Sequence, residues 1–215
     1  MNTQNPSPQP LSRKGRGAKY FIGCVLLVLL AGCSAPLKST LPPEQVYRLA
    51  PVVDIAARRL PLTLYVPPLT STPGLDSARI SLIKPPSQQD FIAHSRWPDE
   101  LPSYLHALIL EGLARSEGFQ AVSEQRLGRD ASLKLLLRVT DFQAEYSADG
   151  KDEATIVVGI TATLLTGKAS HLLKQQHYEA RQTHVALRTG SIVAAMNQAL
   201  GEVMAALLAD LQRAL

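Results

Sequence analysis

The chain predicts an α+β fold: a largely antiparallel sheet with two long helices packed on it, a single domain behind a secretory leader. Three observations carry this. Segments that alternate apolar and polar residues recur between Pro61 and Thr183, the period of half-buried strands. Two segments, opening near Trp97 and Thr189, change to helical spacing. An apolar run preceded by four basic residues and no acidic one stands ahead of everything else. Strands grouped around two helices, rather than alternating with them, place the helices on one sheet.

The leader comes first. Arg13, Lys14, Arg16 and Lys19 precede the apolar run Phe21 to Leu30, with no acidic residue before it. The apolar stretch Tyr20 to Ala31 has twelve residues, whereas a membrane span needs about 20. It ends in small residues, as a cleaved signal segment does. The ending Leu30-Ala31-Gly32-Cys33 resembles the lipobox of bacterial lipoproteins. That resemblance implies cleavage before Cys33, a diacylglyceryl group on its sulfur and an acylated amino terminus. Several chains on one residue give the stable anchoring that a single acyl chain does not. By the sorting rules of such lipoproteins, Ser34 implies the outer membrane, with the domain facing the periplasm. Residues 1–32 are therefore expected to be signal peptide, 33–44 a lipidated Pro/Ser/Thr-rich tether, and 45–215 the folded domain.

The elements follow in order. Tyr47-Arg48-Leu49-Ala50-Pro51 reads as a short first strand stopped by proline. Leu62, Leu64 and Val66 alternate with Thr63 and Tyr65, and Pro67-Pro68 ends that strand. Thr72-Pro73-Gly74-Leu75-Asp76-Ser77 is a turn. Arg79 to Lys84 and Asp90 to His94 read as hairpin partners around Pro85-Pro86-Ser87. Asp99 is the expected cap of the first helix, and Pro102 falls in its tolerant first turn. Leu101, Leu105, Leu108 and Leu113 mark its apolar face with Ile109 flanking, Gly118 ends it, and Phe119 to Val122 is a strand. Leu133, Leu135, Leu137 and Val139 point one way; after Asp141 the parity passes to Phe142, Ala144 and Tyr146, which predicts a bulge near Thr140-Asp141. Ser147 to Lys151 forms a turn with an Asp-Gly pair. The even residues from Ala154 to Leu164 form the next strand's apolar face. Thr166-Gly167-Lys168 turns into Leu172 to Thr183, polar enough for a sheet edge. In the last helix Ile192, Met196, Ala199, Val203 and Leu207 mark one face, widened by Leu200 and Leu211. Asn197, Gln198, Glu202 and Asp210 mark the solvent side.

Composition then excludes several functions. Of 22 Lys and Arg, the leader holds four; the remaining 18 match the 18 Asp and Glu. The mature chain is neutral, and its basicity does not point to nucleic acid. Cys24 leaves with the leader and Cys33 carries lipid, so no thiol remains for a disulfide, metal or catalysis. No phosphate-binding loop occurs, because Thr166-Gly167-Lys168 lacks the upstream glycine and the helix. There is no Gly-x-Ser-x-Gly elbow, and Thr189-Gly190-Ser191 reads as a helix cap rather than a nucleophile site. His171 and His177 share one strand face and His184 takes the other; they read as exposed polar positions, with no metal or cofactor expected. Asp76 and Arg79 read as a turn residue and a surface ion pair, and Trp97 as core.

With this order in hand, the chain resembles the ABC-type transport auxiliary lipoprotein family, whose members accompany MCE-type lipid transport systems, including the paraquat-inducible type. The resemblance runs from Tyr47, Leu49 and Pro51 through Leu75, Asp76, Ser77 and Arg79 to Trp97 and the final helix, covering Tyr47 to Leu215. It implies a non-catalytic component of lipid movement between inner and outer membranes. An MCE-domain protein would be its partner, with an ATPase and a permease as indirect partners. It implies two roles for such a component, docking the MCE assembly or handling lipid. A ringed partner would be matched by a homo-oligomer of this chain. A structural or assembly lipoprotein of another envelope complex fits the residues equally well; a neighbouring ATPase, permease and MCE gene cluster separates the two.

Overall fold

The computed structural model describes residues 43–54, 56, 58–126, 133–148, 152–166 and 171–215. Cys33, Ser34 and most of the tether lie outside these, as do Asp149-Gly150-Lys151 and Gly167-Lys168 of the expected turns.

Nine strands and two helices are described. The strands are β1 (Gln45–Val46), β2 (Leu60–Tyr65), β3 (Thr70–Ser71), β4 (Arg79–Lys84), β5 (Gln88–Arg96), β6 (Phe119–Ser123), β7 (Leu133–Tyr146), β8 (Glu153–Thr166) and β9 (Leu172–Ala186). The helices are α1 (Leu101–Arg115) and α2 (Thr189–Ala214). The long ladders are antiparallel: β8 pairs along nearly its whole length with β7 on one side and β9 on the other. β7 is the rail of the sheet. Its second edge takes three short strands end to end, all parallel to it: β2 at Leu133-Lys134, β3 at Arg138-Val139 and β4 at Gln143 to Glu145. β6 extends β2 in parallel, β5 extends β4 as an antiparallel hairpin, and β1 joins β5 in parallel. These parallel joins need long crossovers, and the segment carrying α1 supplies the one between β2 and β6.

The expected α+β layer is present, with helices on one face. α2 lies on β7, β8 and β9, and α1 lies beside β6. Leu135, Val139, Ala144, Ile156, Val158 and Ile160 of the sheet are fully buried against Ile192, Met196, Ala199 and Leu200 of α2. The alternation of β7 reverses where expected: Val139 opposes Ile160, then Asp141 opposes Gly159, leaving Thr140 as the extra residue. β9 pairs only with β8 among the described residues, and most of its side chains are exposed.

Several local expectations are corrected. The first strand is Gln45–Val46, and Tyr47 to Pro51 runs on as an extended strap; Pro51 has no N–H for a ladder and Leu49 turns its own N–H to Tyr104. Asp99 bonds the N–H of Glu100, outside α1, and the Leu101 N–H is taken by the Ser77 carbonyl instead. In α1 the buried stripe is Leu101, Leu105, Ile109 and Leu113, at a spacing of four, with Leu108 half-buried. α1 ends through Glu117 at φ 55 rather than through Gly118; Gly118 is where Gln212, Ala56 and Leu208 close in, 3.0–3.4 Å from where a Cβ would sit. α2 starts at Thr189 with Arg188 at its N-cap and no side-chain cap, so Thr189-Gly190-Ser191 is already helix.

Asp210 is not on the solvent side. Its carboxylate accepts from Lys174 Nζ (2.7 Å), Tyr178 OH (2.9 Å) and Arg213 (2.5 Å), pinning the end of α2 to β9. The Lys174 and Tyr178 bonds hold the Asp210 carboxyl below its ordinary range, and burial followed by the Asp210 bond pushes the Tyr178 phenol up.

Candidate functional site

The residues Tyr47, Leu49, Pro51, Leu75, Asp76, Ser77, Arg79 and Trp97 gather at the junction between the strap, the β4–β5 hairpin and the start of α1. The strap is bound by side chains from both helices. Leu49 N–H donates to Tyr104 OH (2.6 Å), Ala50 N–H donates to Asn197 Oδ1 (2.7 Å), and Asn197 Nδ2 returns a longer bond to the Ala50 carbonyl (3.4 Å). Asn197, at the edge of the solvent face of α2, thus also holds the strap in place. Tyr47 N–H continues the strap onto Arg96 of β5.

Leu75 is buried and closes a turn on the Thr72 carbonyl. Ser77 works twice: its Oγ accepts from Arg79 N–H (3.3 Å), and its carbonyl takes the first N–H of α1 (3.1 Å). Trp97 donates its backbone N–H to the Ala78 carbonyl (2.7 Å) and buries its ring completely, edge-on to Phe142 at 5.8 Å and tilted on Tyr104 at 6.1 Å. Its indole Nε1–H has no partner among the described residues. Asp76 is exposed and makes no ion pair with Arg79, whose guanidinium instead lies over the Phe91 ring at 3.5 Å. The cation has an aromatic face beside it and no need of the carboxylate.

Two grooves flank α1. One, of about 440 Å³, runs between the strap and α1 past Pro51, Val53, Tyr104, Leu108 and Arg115. The other, of about 660 Å³, lies between α1 and β6 past Pro68, Leu69, His106, Leu110 and Val122. His106 belongs to no motif in the sequence. It is buried, and its Nε2–H donates to the Val66 carbonyl (3.1 Å), tying α1 to the end of β2. Its only sequence signal is its place beside Leu105 on the buried stripe.

The second candidate surface is the sheet face away from the helices. Arg181 bonds Glu179 (2.7 Å) and approaches Glu145 (3.7 Å). The Arg181 bond holds the Glu179 carboxyl below its ordinary range. His177 Nδ1 meets Thr161 Oγ1 (3.2 Å), and its Nε2 lies 3.9 Å from Glu179 Oε2. Asp141 comes within the same small space, so that Asp141, His177 and Glu179 each offer a ligand atom within 4.8 Å of the others. Of the two histidines near it in sequence, His171 precedes β9 and His184 bonds Glu153 (2.9 Å), each away from this group. Spacing along β9 alone does not bring in Asp141, which arrives from β7 across the register of three strands. Ser191 has no hydrogen bond to a histidine or carboxylate among the described residues.

No curated protein matches the chain. Among solved structures, a Xanthomonas campestris protein shares the fold at a TM-score of 0.69 and 18% identity, over 79% of this chain and 96% of that one. A Chlamydia trachomatis hypothetical protein does so at a TM-score of 0.51 and 7% identity, over 71% and 96%. At these identities the likeness is one of fold. The sequence itself carries more: the model of a family described as the ABC-type transport auxiliary lipoprotein component matches residues 47–207, from the strap that Asn197 and Tyr104 hold down to Leu207 within α2. The chain belongs to that family, and is a membrane-anchored lipoprotein of the cell envelope that serves ABC-type transport as an auxiliary component.

Proposed function

We propose that this protein is a non-catalytic docking component of an MCE-type system that moves lipid between the inner and outer membranes. Cys33 would carry the lipid anchor, Ser34 would direct it to the outer membrane, and the domain would face the periplasm. The partner is an MCE-domain protein; the ATPase and permease act through it. The observation that carries this reading is the family match over residues 47–207, standing behind a lipobox.

Geometry favours docking over lipid carriage. The space between sheet and helices is filled: Trp97, Phe142, Leu64, Ile80, Leu135, Ile156 and Met196 are at most 1% exposed, which leaves acyl chains no room there. The two grooves beside α1 are outside this interior and suit protein segments. The test is in-cell photocrosslinking from a reactive group at Glu111, which borders both grooves. An adduct with the MCE-domain protein is expected. Adducts with other outer-membrane proteins and none with that one would overturn the reading.

A further inference from the structure

We propose that Asp141, His177 and Glu179 form a binding site for a divalent cation of the zinc class on the open face of the sheet. The three come from two strands that do not pair with each other. β8 lies between them, and Gly159 is in register with Asp141 on one side and Glu179 on the other. The bulge at Thr140 sets Asp141 in this outward row. Gly159 then leaves room above β8. A Cβ there would sit 2.8 Å from Asp141 Oδ2, 3.2 Å from His177 Cε1 and 2.6 Å from Thr140 Oγ1. Both ligand side chains lean over the one residue that has no side chain to stop them.

Two further features point to a ligand. Thr140 Oγ1 is shielded from solvent and has no hydrogen-bond partner, yet it crowds the same glycine as Asp141 Oδ2 and His177. A buried hydroxyl without a partner is unfavourable, and a cation or its water beside Asp141 would satisfy it. The second is orientation. Thr161 Oγ1 meets His177 Nδ1 and leaves Nε2 toward Glu179 Oε2, the arrangement by which outer partners fix a metal-ligating imidazole. Arg181 takes Glu179 Oε1 and leaves Oε2 on the histidine side.

The donor set, one imidazole nitrogen and two carboxylate oxygens, selects zinc and its neighbours over magnesium and calcium, which favour oxygen alone. At metal–ligand distances of about 2.0–2.2 Å the donor atoms draw together by roughly an ångström. His177 and Glu179, with side chains 45% and 36% exposed, have the freedom to do so. Arg181 reduces affinity, but the two carboxylates outweigh its single charge and Glu145 shares it.

The test is calorimetric titration of the tag-free, metal-stripped mature lipidated chain in detergent with zinc chloride alone. One zinc per chain is expected. H177Q abolishes uptake, T161V weakens it about 10- to 100-fold, G159A weakens it at least about tenfold, and H171Q and H94Q bind like the parent. Each variant is melted in chelator to show that it folds. No zinc uptake by the parent, or H177Q binding as tightly as the parent, or loss that follows His171 or His94, overturns the proposal.

Discussion

Replacing Trp97 with phenylalanine is expected to cost far less than the size of the residue suggests. The indole is completely buried between Phe142 and Tyr104. Trimming it to phenyl removes roughly 40 Å³, a cavity cost of about 1 kcal/mol, and loses about 1 kcal/mol more in transfer free energy. Against this, the variant no longer buries the partnerless indole N–H, a group whose desolvation costs about 1–3 kcal/mol. The net change is within about 1 kcal/mol of zero. W97A keeps the relief but loses the whole ring and its edge-on contact, and costs about 3 kcal/mol or more. Trp97 is the only tryptophan, so urea unfolding must be followed by far-ultraviolet circular dichroism. In a domain of this size about 1 kcal/mol moves Tm by about 2–4 °C. A W97F variant destabilised by about 3 kcal/mol or more would refute the reasoning, because it would mean that the indole N–H is bonded in the folded protein.

Further outcomes follow from other contacts. D210A removes the acceptor shared by Lys174, Tyr178 and Arg213 and should cost about 2–3 kcal/mol in urea unfolding, with coupling to both Lys174 and Tyr178 in double-mutant cycles. Because the folded-state pKa of Asp210 is lowered, its contribution is present above the ordinary aspartate value of about 3.9 and fades as pH falls through the lower folded value. The stability gap between parent and D210N, measured at neutral pH and again below about pH 3, should therefore close on the acid side. Gly74 holds φ +94 with the Gln89 amide 2.7 Å from where a Cβ would sit. G74A should cost about 1–2 kcal/mol, and Q89A should relieve only the steric part; full rescue by Q89A would show that the backbone conformation carries no penalty.

What the sequence reveals depends on how locally each feature is determined. The parity change at Thr140-Asp141 is legible because burial on one face enforces a period of two, and a bulge is the cheapest way to break it. The face of α2 is legible for the same reason with another period. Glu117 is not, because a left-handed residue at a helix end is expected to be glycine, and here Gly118 is needed one step later for close packing. Nor is Ile109, whose burial depends on what α1 meets rather than on leucine spacing. Thr70–Ser71 is too short to carry any pattern, and its pairing with Arg138-Val139 depends on contacts across the whole sheet. The meeting of Asp141 with His177 and Glu179 is the same kind of fact. Thirty-six residues separate Asp141 from His177, and only the two ladders through β8 bring them together. Asp76 and Arg79 show the reverse error, since nearness in sequence suggested a pair that the Phe91 ring dissolves.

The bonds of the strap to Tyr104 and Asn197 also bear on mechanics. A pull transmitted along the chain from the amino-terminal side of Pro43 first strains the short β1–β5 ladder, whose few bonds are easily torn. At Leu49 and Ala50 it meets one side chain from each helix. The load is thereby divided between α1 and α2, the elements seated on the filled interior, and does not peel β5 from β4. Tension on the anchor would end at Asn197, like a rope belayed before it reaches the climber.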